Sequence, residues 1–142
     1  MASSAATAVF TYFMENSLRT HEIEFRQCCH NNDVLGAMDI FNTHRGMDTS
    51  FNNEECFRIV AENGNIVFIQ WLYNTHHVNP MRLDELVIAV CEKGHLIILQ
   101  WMNAVGLLED VPMKSAYFRA VRKHDIAMAD WIMDTFHNFN KR

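Results

Sequence analysis

Four cysteines and eight histidines are the side chains of this 142-residue chain best suited to metal binding or nucleophilic chemistry. Cys28, Cys29 and His30 stand consecutively and form the densest such cluster. Consecutive residues on a helix point about 100° apart, so one ion would engage only one or two of them. Cys56 and Cys91 are isolated, no Cys-x-x-Cys occurs, and no two histidines lie four apart as on a zinc-binding helix. His76 and His77 fall between expected helices, where a solvated loop accounts for them. The carboxylate pairs Glu54–Glu55 and Asp84–Glu85 fall at helix starts, where the helix dipole favours negative charge. The five glycines are dispersed, so no phosphate-cradling loop is present, and no Gly-x-Ser-x-Gly elbow appears. The expectation is therefore a protein without catalytic residues, metal site or cofactor.

Composition points the same way. Hydrophobic residues make up 49% and charged residues 20%, which suits one packed domain. A formal net charge of −5 argues against nucleic-acid binding, which needs a basic surface to neutralise phosphates. No apolar run reaches the ~18 residues of a membrane span. The apolar stretch before Arg19 has no basic residue ahead of it, so a secretory signal is not expected. Adjacent cysteines fit neither a disulfide framework nor a zinc ribbon, and reduced thiols in the cytoplasm are the expectation.

The elements that hold these side chains repeat. Phe57 to Leu72 reads as a helix, a break at Asn63-Gly64 and a second helix, and Val87 to Met102 is a near copy thirty residues on. Gly64 matches Gly94, Ile66 matches Leu96, Ile69 matches Leu99, and Gln70-Trp71 matches Gln100-Trp101. A degraded third copy, Tyr117 to Ile132, keeps Trp131 and puts His124 in place of the glycine. A shift of 32 brings in a further unit, with Phe25-Arg26 on Phe57-Arg58, but Asp39 where the tryptophan should be. Four units follow, at about residues 20–46, 50–75, 79–106 and 110–137. A helix pair cannot bury both faces alone, so such units share a continuous core. Residues 1–7 are expected to fray, residues 9–18 to form a short N-terminal capping helix, and Thr20 to cap the first repeat. Asp33, Asp125 and one of Thr49 or Ser50 are further N-cap candidates, and Asn79-Pro80 and Asp110-Val111-Pro112 are further helix starts. Trp71, Trp101 and Trp131 are read as inter-repeat packing. Cys29, Ala61, Cys91 and Val121 share one aligned small, buried position, which makes Cys29 and Cys91 core thiols.

The run Ala-Glu-Asn-Gly-Asn-Ile-x-x-Ile-Gln-Trp-Leu resembles the ankyrin repeat. It is most similar to the divergent Gln-Trp-type ankyrin-like repeats common in large DNA viruses and some protists, over about residues 24–136. The Thr-Pro-Leu-His signature and the Gly-Ala-Asp-like turn are missing and the period is 30, so plain loops are expected in place of protruding β-turn fingers. The resemblance implies an all-α, ankyrin-like α-solenoid of four helix-turn-helix repeats behind the capping helix. It also implies a protein partner bound at the concave face and loops, in host cytoplasm if the protein is viral. The partner-binding positions it indicates are the residues before each break: His30 and Asn31, Glu62 and Asn63, Glu92 and Lys93, Arg122 and Lys123, with Arg58 one turn earlier. Their charge runs from acidic at Glu62 to basic at Arg122 and Lys123. The alternative expectation is a homo-oligomer formed through exposed end repeats, where Phe10, Phe13, Phe136 and Phe139 lie.

Overall fold

The structure is a computed structural model that describes residues 2–44, 47–75 and 82–136. Within them run α1 (Ala2–His30), α2 (Val34–Thr43), α3 (Phe51–Asn63), α4 (Ile66–Thr75), α5 (Leu83–Glu92), α6 (Leu96–Ala104), α7 (Lys114–Arg122) and α8 (Ile126–Thr135). The chain is all-α, with no strand among the described residues.

The helices form pairs, α1 with α2, α3 with α4, α5 with α6 and α7 with α8, and the first helices pack in series, α1 on α3, α3 on α5, α5 on α7. Each pair turns at one residue with positive φ: Asn32 (58°), Gly64 (77°), Gly94 (75°) and His124 (58°). These four positions are the ones aligned by the sequence repeat. Glycine, which has no Cβ, reaches this conformation without crowding, and asparagine tolerates it best among the others. The next residue then starts the second helix. Asp33 Oδ1 accepts from Gly36 N at 2.9 Å, Asn65 Oδ1 from Phe68 N at 3.0 Å, and Asp125 Oδ1 from Met128 N at 3.2 Å. Each such cap stabilises its helix by about 1 kcal/mol.

The core lies between the two rows of helices. On the second helices, Phe68, Ile69 and Leu72 are fully buried, as are their counterparts Ile98, Leu99 and Met102. On the first helices Phe25, Phe57 and Val87 occupy one aligned, buried position. Trp71 packs its ring against Phe25 and edge-on to Phe41, with centroids 6.2 and 5.7 Å away. Trp101 does the same with Phe57 and Tyr73, at 6.3 and 5.3 Å. Both tryptophans therefore bridge successive pairs, as read from their period. The aligned partners for Trp131 are Val87 and Asn103, and its ring instead meets Phe136 of its own pair at 5.8 Å.

Several sequence expectations need correction. The N-terminal capping helix and the first helix of repeat one are a single helix, α1, starting at Ala2 rather than after a frayed segment. No glycine or proline precedes Gly36, and alanine-rich sequence favours helix, so nothing interrupts α1 at Thr20. The α7 helix starts at Lys114, later than Asp110 to Pro112 suggested, because the preceding loop is drawn onto the core by buried Leu108 and Met113. Ser50 precedes α3 without a side-chain cap bond; its N–H donates to Asp48 Oδ1 at 2.9 Å. Val121 is 45% exposed, unlike buried Cys29, Ala61 and Cys91, because no further described helix pair packs on α7. The start at Asn79-Pro80 lies outside the described residues.

Candidate functional site

The positions before each break all fall at the C-terminal ends of α1, α3, α5 and α7, along one edge of the structure. The last carbonyls of a helix lack intrahelical partners. Here the neighbouring pair supplies donors for them. Asn63 Nδ2 donates to the Cys29 carbonyl at 3.0 Å, His95 Nε2 to the Glu62 carbonyl at 2.9 Å, and Lys123 Nζ to the Glu92 carbonyl. Salt bridges follow the same steps: Arg26 to Glu55 at 3.3 Å, and Arg119 to Glu92. Exposed pairs of this kind stabilise by about 0–1 kcal/mol, so they set the fit between pairs more than the total stability.

The nine expected binding residues thus divide. Asn63, Glu92 and Lys123 are engaged in contacts between helix pairs. Glu62 contributes its carbonyl to such a contact and is half-buried, as is Arg58, which makes no ion pair among the described residues. His30, Asn31, Lys93 and Arg122 are exposed and free to meet a partner. Arg119, on α7, is the ion-pair partner of Glu92.

The thiols are placed as packing groups. A hydrogen bond to Cys56, followed by burial, pushes the Cys29 thiol far up. Burial, then the nearby Asp125 charge, pushes Cys91 up to about 12. Burial, then the Asp33 and Glu24 charges, raises Cys28. Thiolate is the reactive form, so these groups are poor nucleophiles and ligands at neutral pH. His21 and His44 stack with ring centroids 3.4 Å apart, and no cluster of three potential metal ligands occurs among the described residues. His76, His77 and His137 lie outside them. Open grooves among the described residues include two on the α5–α8 half. One of about 460 Å³ lies where the start of α5 meets the loop before α7, beside Arg82, Asp84 and Asp110. The other, of about 290 Å³, lies between α7 and α8 beside Tyr117, His124 and Asp125.

A second surface was not singled out from sequence. Leu35, Val67 and Ile97 hold one aligned position in the first turn of α2, α4 and α6, and are 80%, 61% and 65% exposed. Gln70 and Asn74 continue this outward stripe on α4, and Gln100 and Ala104 on α6. Neither α4 nor α6 contains a charged residue. The signal was present in the sequence, as apolar residues opposite Ile69 and Leu99 on otherwise uncharged helices. High overall hydrophobicity reads as burial unless the two faces are counted separately.

No family model, curated protein or solved structure matches the chain. No helix among the described residues is long and apolar enough to cross a membrane.

Proposed function

We propose that this chain is a non-catalytic protein-interaction module, built as an ankyrin-like α-solenoid of four helix pairs. It binds a protein partner along the edge where the first helices end, on the concave face of the stack, in the cytoplasm. The serial packing of α1, α3, α5 and α7 and the four aligned left-handed turns support the solenoid reading. The observation that carries the binding reading is the exposure of His30, Asn31, Lys93 and Arg122 on that edge, beside residues locked into contacts between pairs. Side chains held on a rigid frame, with others left free between them, form a preorganised surface, and binding then costs little ordering. Charge rises along the edge from Glu62 to Arg122, which favours a partner that is acidic at the α7 end.

The test is affinity capture from cell extract with the wild-type chain and with Lys93→Glu/Arg122→Glu. Both substituted residues are exposed, so helicity should be unchanged. Proteins held by the wild type and lost by the variant are the expected outcome. Equal retention by both chains would move the binding site off this edge.

A further inference from the structure

We propose that the outer face of α4 and α6, flanked by α2 and α8, is the interface of a symmetric homodimer. The face combines three properties. Its first-turn row is apolar and exposed at Leu35, Val67 and Ile97. Its next row is made of the amides Gln70 and Gln100, which both donate and accept. Its two central helices are free of charge on a chain whose net charge is −5. Single exposed apolar residues are ordinary, but a repeated row flanked by neutral amides resembles the centre of a protein interface, where charge is depleted.

A second copy is the occupant this pattern fits. Two copies of an acidic chain repel, and burying charge between them would be costly. The α4–α6 face is where they meet without doing so. The face is also self-complementary, because α4 and α6 carry matching residues at matching heights. A two-fold axis running between these helices, along their direction, sets Val67 against the partner's Ile97 and Gln70 against the partner's Gln100. It sets Leu35 against the partner's Ala127. Asp39, Asp130 and Asp134 then fall at the rim, where charge remains solvated.

Size bounds what the interface can bury. Helices of this length run about 15 Å, and the four that the axis pairs, α2 with α8 and α4 with α6, give roughly 600 Å² in projection when about 10 Å apart. Side-chain ridges raise the accessible area toward the about 800 Å² per partner of a standard interface. A dimer dissociating in the micromolar range is expected. Acidic copies with an acidic rim repel less as salt rises, so added salt should tighten it.

Sedimentation equilibrium of the full chain from about 1 to 200 µM tests this, since that range brackets a micromolar constant. The wild type should move from the 16.6 kDa chain mass toward twice that value. Val67→Glu should weaken the dimer at least tenfold with an unchanged circular dichroism spectrum. Val67→Glu combined with Ile97→Lys should restore it, because opposite charges then face each other across the axis. A wild type that stays monomeric throughout the range overturns the dimer. A Val67→Glu chain that still dimerises puts the interface elsewhere, and a double variant that stays monomeric overturns the register. None of these readouts depends on capture of another protein, so they stand apart from the test of the binding edge.

Discussion

His95 Nε2 lies 2.9 Å from the carbonyl oxygen of Glu62, across the junction between the second and third helix pairs. A carbonyl only accepts, so this ring nitrogen carries the proton. His95 stands where Asp33, Asn65 and Asp125 cap their second helices, and it makes no side-chain cap bond to α6. It has exchanged a local bond for one to the neighbouring pair. From a position two residues earlier in the repeat, Lys123 reaches the equivalent carbonyl, that of Glu92, and Asn63 reaches the one a residue before it, that of Cys29. What recurs is therefore the bond to the neighbour's helix end, while the residue that makes it changes.

His95→Ala should lower unfolding stability by about 1 kcal/mol, the net worth of one such hydrogen bond. His95→Asn loses the bridge but gains a cap of about 1 kcal/mol, so it should come out near wild type. Chemical denaturation of the two variants checks the pair. An alanine variant as stable as the wild type would mean that the bridge contributes nothing.

Gly64 and Gly94 separate two roles that glycine plays in the turns. Both have positive φ, so alanine at either costs about 1–2 kcal/mol of strain, partly offset by the stiffer unfolded chain. A Cβ at Gly64 would also fall 2.6 Å from the His95 ring, whereas at Gly94 the nearest atom, Asp125 Oδ2, is 3.7 Å away. Gly64→Ala should thus be clearly more destabilising than Gly94→Ala, and His95→Ala should remove most of the difference. Equal thermal shifts for the two glycine variants would show that the ring moves aside freely.

The period of thirty, with the shift of 32 for the first unit, made the four turns and the tryptophan junctions legible. Phe25 and Phe41 around Trp71, and Phe57 and Tyr73 around Trp101, are the same two positions one repeat apart. Two kinds of feature were not legible. Asn63, Glu92 and Lys123 read as partner-binding positions, since a sequence does not show that a neighbour's helix ends within their reach. The junction at Thr20 read as a cap, although helix propensity carried α1 straight through it. Val67 and Ile97 were hidden in the opposite way, as apolar residues on helices that also bury Ile69 and Leu99.

The tryptophan junctions differ in strength. Trp101→Ala removes a half-buried ring held between Phe57 and Tyr73, and should cost about 3–5 kcal/mol. Trp131 lacks both aromatic neighbours from the preceding pair, so Trp131→Ala should cost less, by about 1 kcal/mol for the lost ring contacts. Thermal melts of the two variants check this order. A Trp101→Ala melt within a degree or two of wild type would show that the ring is not part of the core.

Alkaline pH should loosen the fold through its buried thiols. Cys91 has its pKa raised from the ordinary thiol value of 9.0 to about 12, chiefly by burial. A raised thiol pKa means that the folded state holds its proton where the unfolded chain has lost it. Its contribution is fully present below pH 9 and is lost as pH rises from there toward about 12. At one pH unit above 9.0 the loss from this thiol is about 1.4 kcal/mol. Cys29 is shifted in the same direction and should add to the loss. Alanine already fills the aligned, buried position at Ala61, so Cys29→Ala and Cys91→Ala should be tolerated at pH 7. The double variant should then lose less stability than the wild type between pH 7 and pH 10. Parallel stability profiles for the two chains would show that groups other than these thiols control the alkaline transition.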